Sequence, residues 1–276
     1  MRSPHSESAS EQIDTYMDMV PGVNKYLNVR HVMLPPQGIE NIPEGPAMFV
    51  ANHLAFDDSL AIAAVYANTQ NKPLRLGGKK EYFDGEGITL KGPFGIKIKG
   101  VFGKQIQRFV IESRQIPIAR TGEKKDIVEL DKEIKHRFSI GESILLHAEG
   151  TRSQDGRLNK FKQGAAAFAI KNSVPLVPVS ITYTPQRFSP RSIAEVKFGE
   201  PLMPTSYGME FKHYPLLPNG LVDMAAPRIM NQSARAIEVT DIVERRVAEL
   251  SGQKRSTFFL DPYTKKLIIP ESEQAQ

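Results

Sequence analysis

Short apolar runs of strand length alternate with longer segments of helical period through the middle of the chain. Apolar runs bounded by turn residues predict buried strands at 29–34, 47–51, 73–77, 116–119, 143–147, 175–183 and 194–198. Apolar residues at helical spacing predict helices at 56–68, 104–113, 123–138, 163–172 and from Asn231 or Ser233 to Ser251. This alternation favours the α/β class, as a single αβ sandwich whose central, largely parallel or mixed sheet is flanked by helices.

The two ends of the chain differ in composition from this alternating middle. Residues 1–12 are rich in Ser, Glu and Gln and lack an apolar stretch, so we expect disorder and no secretory signal there. Pro21-Gly22 predicts a break in the segment that follows, so we expect one or two short helices before the main domain. The predicted division is an N-terminal polar segment with short helices (1–28), a main domain (29–252) and a C-terminal tail (253–276).

Composition excludes several kinds of chemistry. The chain has 276 residues, of which 40% are hydrophobic and 24% charged, as is typical of a globular protein. It has no cysteine, which excludes disulfides, thiolate metal sites and a cysteine nucleophile. The histidines lie at no metal-ligand spacing, so we expect no bound metal. We expect no other cofactor either. No apolar run approaches the roughly 18 residues of a membrane-spanning helix.

The charge balance indicates which partners suit the chain. A net charge of +5 favours anionic molecules. Nucleic acid is not an expected partner, because there is no tryptophan and no interleaving of aromatic with basic residues. Basic residues interleaved with apolar ones occur at Lys79, Lys80, Lys91, Lys97, Lys99, Lys104 and Arg108. This basic belt is either a solvated surface or a docking surface for anionic lipid or an acidic carrier protein. Gly77 to Lys80 is predicted to be a turn.

The segment from Asn52 to Asp58 follows the strand at 47–51 and holds an imidazole and a carboxylate. A histidine beside a carboxylate can act as a general base with an orienting partner. On one regular helix the steps from His53 to Asp58 turn through roughly 500°, so the side chains meet only if His53 lies in a loop and Asp58 in the first helical turn. By spacing alone, local hydrogen bonding and helix capping are the more frequent interpretation, since roughly a quarter of such chains contain this pair by chance.

Two other predicted strands also end in residues suited to a site. Arg120 follows the strand at 116–119, and Glu149 to Arg152 follow the strand at 143–147. Because ligands of open α/β sheets bind at the carboxyl ends of strands, we expect these segments to converge with His53.

The segment from Glu149 to Arg152 combines an acid, a flexible backbone position, a hydroxyl and a guanidinium. Gly150 can bring backbone amides close to an anion, and Arg152 offers a bidentate fork to phosphate. The alternative is an ordinary polar loop, but this string is far rarer by chance than the histidine–aspartate spacing. His147, just before it, is interpreted as a satisfied core histidine or a supporting one rather than a reacting one.

These segments together resemble the glycerolipid acyltransferase superfamily, which includes lysophosphatidic acid and glycerol-3-phosphate acyltransferases. The resemblance covers about residues 45–200, in the family's order. The matches are Asn52, His53 and Asp58 for N-H-x-x-x-x-D, 116–120 for the second block, Glu149 to Ser153 for E-G-T-R-S, Phe161 and Gly164 for F-x-x-G, and 174–179 for the final apolar strand. Asp57 falls out of the family's register.

The resemblance implies that His53 and Asp58 are the catalytic residues. His53 would take the proton from an attacking substrate hydroxyl, and Asp58 would hold the imidazole tautomer, with no covalent acyl-enzyme. The implied substrate-binding residues are Arg120, Glu149, Gly150, Thr151, Arg152 and Lys162. The arginines would clamp a phosphate with help from Lys162, while Glu149 would orient an arginine or accept a hydrogen bond from a glycerol hydroxyl.

The implied function is transfer of a fatty acyl group from a thioester to a hydroxyl of a glycerophosphate such as 1-acyl-glycerol-3-phosphate, in phospholipid biosynthesis. Acyl-CoA or acyl carrier protein would be the donor, and residues 29–252 the acyltransferase domain. The implied partner is a phospholipid membrane surface, and the implied location is cytoplasmic, peripherally associated with the inner face of a membrane. The alternatives are the same chemistry on another lysolipid, a sugar or an amine, and a catalytically silent lipid-binding relative.

Overall fold

The structure is a computed structural model. It describes residues 9–85, 88–91, 97–101, 103–119, 123–203, 227–256, 259–260 and 267–268. The helices are α1 (Ala9–Arg30), α2 (Asp58–Gln70), α3 (Lys80–Phe83), α4 (Gly103–Glu112), α5 (Lys124–Ser139), α6 (Gly164–Asn172) and α7 (Pro227–Ser251), with a short 3₁₀ turn at Ile39–Asn41.

The strands include every apolar run that the sequence pattern assigned to a strand. They are β1 (His31–Met33), β2 (Met48–Ala51), β3 (Leu74–Lys79), β4 (Ile88–Lys91), β5 (Lys97–Val101), β6 (Ile116–Ile118), β7 (Ser143–His147), β8 (Leu176–Pro185), β9 (Ser192–Phe198), β10 (Phe259–Leu260) and β11 (Leu267–Ile268).

The chain divides into two compact units. Unit 1 comprises residues 1–29 and 59–145, and unit 2 comprises residues 30–58 and 146–276. In unit 1, β3 pairs in parallel with β7 on one side and with β6 on the other. Helix α5 packs on β6. Tyr16, Val20 and Ala67 form a small buried apolar cluster that fixes α1 to α2.

Unit 2 is built on a mixed sheet with the strand order β1-β9-β8-β2. β2 runs parallel to β8, β8 antiparallel to β9, and β9 parallel to β1. All of β2 is buried, as are Leu176 to Ile181 of β8, because α6 packs on β2 and α7 packs on β8. The α/β class and the mixed, helix-flanked sheet expected from the sequence are confirmed, and this packing brings the carboxyl end of β2 to a defined place beside β8.

Four local predictions were wrong. Residues 9–12, expected to be disordered, are helical, since α1 begins at Ala9. Pro21 lies inside the continuous helix α1, since Tyr16 and Val20 before it and Leu27 after it are buried and hold both halves. Gly77 to Lys79 is strand rather than turn, because Gly77 and Gly78 pair with β6.

The start of the last helix is the fourth wrong prediction. Asn231 and Ser233 lie within α7, which begins at Pro227, a residue whose fixed φ suits a first helical turn. The predicted end is confirmed, since α7 ends at Ser251 and Gly252 has φ 68°.

Lys91, Lys97 and Lys99 of the basic belt lie where only the backbone is described, whereas Lys79, Lys80, Lys104 and Arg108 are exposed. β4 and β5 form an antiparallel hairpin that brings Lys91 opposite Lys97, an element the sequence pattern did not predict. Within the described residues, no helix combines the length and the apolar character that crossing a membrane requires.

Candidate active site

His53 lies in the loop that leaves the carboxyl end of β2. Met48 to Ala51 is almost wholly inaccessible, so the strand ends where the first polar side chain, Asn52, appears. Asp58 is the first residue of α2. The expectation that His53 lies in a loop and Asp58 in the first helical turn is therefore confirmed. His53 Nδ1 donates to Asp58 Oδ2 over 2.9 Å.

The Asp58 carboxylate is held in place by more than the imidazole. Its Oδ2 also accepts the backbone amides of Leu54 at 2.5 Å and Ala55 at 2.8 Å, and the residue is completely buried. Because this oxygen can only accept, the imidazole carries its proton on Nδ1 and presents the lone pair of Nε2. The His53 side chain is 21% exposed, and in the part of the chain described here Nε2 makes no hydrogen bond. That nitrogen is free to receive a substrate proton.

The neighbouring carboxylate, Asp57, has a different set of contacts. Its Oδ2 accepts from Arg30 Nε at 2.6 Å and lies 3.1 Å from His31 Nε2. His31 in turn meets the Ser192 hydroxyl through Nδ1 at 2.7 Å. Geometry therefore assigns Asp58, and not Asp57, to His53, in agreement with the register of the sequence motif.

Asn52 fixes the point where β2 gives way to the His53 loop. Its side-chain amide donates to the Ile181 carbonyl, and its side-chain oxygen accepts the Ile181 amide, both at 2.8 Å. The same amide group donates to Gln253 Oε1 at 2.6 Å. Asn52 is completely buried, so its polar groups need partners within the protein. These bonds take the place of the sheet hydrogen bonds that end with β2, and they set the direction in which the loop leaves the strand.

Glu149 joins the loop after β7 to the His53 loop. One carboxylate oxygen accepts the His53 backbone amide at 2.5 Å, and the other accepts the Asn159 amide at 2.9 Å. The Ser153 amide donates to the His53 carbonyl at 2.7 Å. The expected convergence of these two strand ends is confirmed. Both Glu149 oxygens bind backbone amides, a supporting contact that differs from the substrate or arginine contact expected from the sequence.

The surroundings of Glu149 disfavour its charge. Burial raises its pKa to about 7, although the amides of Asn159 and His53 act in the opposite direction, and the nearby Asp58 charge raises it further. Glu149 is 3% exposed. A carboxyl group with a pKa near neutrality beside a histidine–aspartate pair is typical of a functional site.

His147 stacks on the face of His53. The ring centres are 4.2 Å apart and the planes differ by 15°. His147 Nδ1 donates to the Asn52 carbonyl at 2.7 Å. Burial, followed by the neighbouring His53, lowers the pKa of His147 to about 4, so this ring stays neutral at neutral pH. His147 is thus a supporting histidine, as the sequence indicated, and it fixes the plane of the His53 ring.

Gly150 turns the chain after Glu149 and leaves room for a lysine. Its φ is +69°, a conformation that L side chains rarely adopt, and a Cβ at this position would lie 2.6 Å from Lys162 Nζ. The Lys162 amide donates to the Ala148 carbonyl at 2.8 Å, which fixes the start of the side chain. The ammonium group of Lys162 therefore lies against the Gly150 turn.

The remaining predicted substrate-binding residues differ in exposure. Thr151 is half-buried and Arg152 is exposed, and within the described residues the Arg152 guanidinium has no ion pair. Arg120 lies outside the described residues, so its place relative to the site stays a prediction. Among the described side chains, no cluster of histidine and carboxylate residues could hold a metal ion.

The segment after α7 supports the loop that follows Arg152, which the sequence did not indicate. Gln253 Nε2 donates to the Gly156 carbonyl at 2.8 Å. The Leu158 amide donates to the Lys254 carbonyl at 3.0 Å, and the Ser256 amide to the Leu158 carbonyl at 2.7 Å. Gln253 therefore bridges this loop and Asn52, yet it lies in a segment that carries no local motif.

Tyr183 is a second site neighbour that sequence reasoning missed. Burial raises its pKa, and the charge of Asp58 raises it further, so the hydroxyl stays protonated. The Tyr183 hydroxyl and Asp58 Oδ1 are both buried. The Tyr183 ring packs on His31 with centres 4.9 Å apart.

The protein has a mixed α/β sheet, with a histidine–carboxylate pair and an E-G-T-R loop at adjoining strand ends. In this combination it resembles proteins that transfer acyl groups. Comparison with known families agrees. The chain belongs to the Acyltransferase family, whose model matches residues 36–182, more than half of the sequence. The family predicted from the sequence motifs is thereby confirmed.

Named relatives and a solved structure are similar to the chain. It is 32% identical over 150 residues to the chloroplastic 1-acyl-sn-glycerol-3-phosphate acyltransferase BAT2 of Brassica napus, covering 54% of this chain and 37% of that protein. It is 26% identical over 144 residues to a 1-acyl-sn-glycerol-3-phosphate acyltransferase of Pseudomonas aeruginosa, covering 52% of this chain and 47% of that protein. The chain thus spans less than half the length of these relatives.

The fold also resembles that of the 1-acyl-sn-glycerophosphate acyltransferase PlsC from Thermotoga maritima. The TM-score is 0.51 with 19% sequence identity, over 90% of this chain and 84% of that one. At this identity the likeness supports the α/β fold.

Proposed function

We propose that this chain transfers a fatty acyl group from a thioester to a free hydroxyl of a glycerophosphate, with 1-acyl-glycerol-3-phosphate as the acceptor. The observation that carries the proposal is the 2.9 Å bond from His53 Nδ1 to a buried carboxylate that two backbone amides also hold. This arrangement leaves Nε2 as a proton acceptor of fixed direction.

The mechanism assigned to His53 begins with the acceptor hydroxyl. Nε2 removes the hydroxyl proton as the oxygen attacks the thioester carbonyl carbon, and Asp58 stabilises the imidazolium that forms. The tetrahedral intermediate then expels the thiolate, and the imidazolium returns its proton to the sulfur. The products are an ester and a free thiol, and His53 regains its starting state without a covalent acyl-enzyme.

The surrounding groups support this role for His53. His147 stays neutral on the ring face, so it adds no positive charge that would oppose formation of the imidazolium. Glu149 holds the His53 backbone amide, which restricts movement of the loop. Both contacts favour a ring position that is already set before the substrate binds.

A phosphate on the acceptor is proposed to bind at the Gly150 turn. Arg152 is exposed there and can offer two parallel N–H groups to a phosphate, and Lys162 Nζ lies against the same turn. Arg120 is proposed as a second arginine of this clamp. The names of the similar plant and bacterial proteins support the same acceptor class, since each is a 1-acyl-sn-glycerol-3-phosphate acyltransferase.

The donor and the location are also proposed. Acyl-CoA and acyl carrier protein both present the required thioester, and the net charge of +5 suits either of these anionic donors as well as an anionic lipid surface. We place the chain at the cytoplasmic, inner face of a membrane, in phospholipid biosynthesis, where a lysolipid acceptor resides.

An acyl-transfer assay tests the acceptor, with acyl-CoA and acyl carrier protein as parallel donors. Arg152→Gln is expected to raise the KM for 1-acyl-glycerol-3-phosphate by about tenfold or more, since a charged hydrogen bond contributes roughly 1.5–3 kcal/mol. The KM for a lysolipid without a free phosphate monoester should change little. Arg245→Gln, at an exposed arginine of α7, is the control. Faster transfer to a sugar or an amine than to any glycerophosphate would reassign the acceptor.

A further inference from the structure

The loop between β8 and β9 carries the most exposed large apolar side chain described in unit 2. The loop spans residues 186–191, with two arginines and no acidic residue. Phe188 is 92% exposed, against 54% for the next such residue of this unit, Ile237. The Arg187 guanidinium lies 5.4 Å from the centre of the Phe188 ring. A single exposed aromatic residue is common, so its place in the fold decides what it means.

That place is the edge of the sheet on which the His53 site lies. β2 and β8 run parallel with Ala51 opposite Val179, and Asn52 binds the backbone of Ile181. β8 then continues to Pro185, which carries the chain about 13 Å beyond the level of Asn52 at roughly 3.3 Å per residue. The 186–191 loop therefore extends from the sheet edge that holds the proposed catalytic pair.

We propose that the 186–191 loop docks the chain on an anionic phospholipid bilayer, with Phe188 in the interface and Arg187 and Arg191 against lipid phosphates. This inference rests on the proposed function, in which the acceptor is a membrane lipid. An aromatic ring flanked by arginines suits the boundary between headgroups and acyl chains, because the ring buries apolar surface while the guanidinium groups bind phosphate. Docking in this orientation brings the bilayer surface to the same edge as His53.

The absence of tryptophan from the chain allows a direct test. Phe188→Trp places a single tryptophan at the tip of the loop, and Ile237→Trp places one at an exposed apolar position of α7. Emission is recorded with phosphatidylcholine vesicles, with vesicles that also contain phosphatidylglycerol, and with brominated acyl chains as quenchers. A blue shift and quenching are expected for Phe188→Trp on the anionic vesicles, and neither for Ile237→Trp.

Binding affinities give the second measurement. Arg187→Gln and Arg191→Gln should each weaken partition into the anionic vesicles by roughly fivefold, and added salt should reduce the difference. Phe188→Ser should weaken it by about tenfold. Arg245→Gln on α7 should leave it unchanged.

Several outcomes would overturn the proposal. They are a wild-type chain that does not bind anionic vesicles, a Phe188→Trp chain that binds them without a change in emission, and an emission change caused by acyl carrier protein alone.

Activity separates this inference from the proposed function. Phe188→Ser should keep full activity on a short-chain acceptor dissolved as monomers and lose activity only on acceptor embedded in vesicles. A wild-type chain that docks through Phe188 but transfers no acyl group would sink the proposed function and leave the docking surface standing.

Discussion

The buried cluster around Glu142 in unit 1 and the His53 site in unit 2 arrange their charges in opposite ways. In unit 1, the completely buried Arg75 donates to Glu142 and, over 2.7 Å, to the Ser113 carbonyl. Arg137 donates to the other Glu142 oxygen at 3.1 Å. Burial on its own raises the pKa of Glu142, but Arg75 and then Arg137 outweigh it and hold that pKa below its usual value. Here each buried charge has an opposite charge beside it.

In the His53 site of unit 2, Glu149 and His147 lack such compensation. Both oxygens of Glu149 bind neutral backbone amides, and its pKa rises to about 7. His147 is held neutral, and His53 presents Nε2 without a partner among the described residues. The difference separates a structural cluster from a candidate site, because burial without a counter-charge brings the pKa of Glu149 to about 7, where a carboxyl group can gain or lose a proton near neutral pH. Substitutions in the two clusters should therefore have different effects on stability.

Removing the acid from the unit 1 cluster should have the largest effect on stability. Glu142→Ala leaves Arg75 buried without its ion-pair partner, which is expected to lower the free energy of unfolding by about 3–5 kcal/mol in urea titrations. Glu112→Ala, which breaks the exposed pair with Arg108, is the matched control and should leave the urea midpoint almost unchanged. An equal, small effect of both changes would show that the buried pair is not structural.

Glu149, in the His53 site of unit 2, should make the stability of the protein depend on pH. The pKa of Glu149 is raised in the folded state, so its stabilising contribution is complete below 4.5 and is lost as the pH rises through about 7. Glu149→Gln removes this dependence. Its free energy of unfolding relative to wild type should therefore improve between pH 4.5 and 7, by at most about 3 kcal/mol.

His147→Phe provides the opposite test at the same site. The pKa of His147 is lowered, so its contribution is complete above 6.5 and is lost as the pH falls through about 4. The phenyl variant, which keeps an aromatic ring on His53, should gain stability relative to wild type as the pH falls over that interval. If the two variants shifted in the same direction, the charge arrangement described for unit 2 would be incorrect.

Gln253→Ala should have the smallest effect on stability. It removes the bonds to Asn52 and Gly156, and a loss of about 1–2 kcal/mol is expected. Acyl transfer should fall as well, because these bonds hold the end of β2 and the loop after Arg152. Gln37→Ala, which removes an exposed hydrogen bond to Glu195, is the matched control for both measurements.

Elements and their order were predictable where the signal is local. The bounds of β7 agree with the predicted strand, and the polar residues after β2 and β7 predicted where a site would form. The aromatic stack of His147 on His53 was not predictable, because it depends on how two strand ends approach each other. The same holds for the bond from Asn52 to Gln253, which joins residues 201 positions apart in the chain.

The sequence also could not indicate which carboxylate had which contacts. Asp57 and Asp58 are adjacent and chemically identical, and only the turn into α2 directs one toward His53 and the other toward Arg30. Likewise, Glu142 stands just before β7 and Glu149 just after it. Glu142 is paired with arginines, whereas Glu149 binds backbone amides.

The central claim is that His53 is the general base of acyl transfer. Its most direct test is the turnover of His53→Ala beside His136→Ala, which changes an exposed histidine on α5. His53→Ala should lower kcat by roughly 10²–10⁴-fold with an unchanged urea midpoint, and added imidazole should restore part of the activity. His136→Ala should match wild type. A His53→Ala protein that turns over at a rate comparable to wild type would contradict the account.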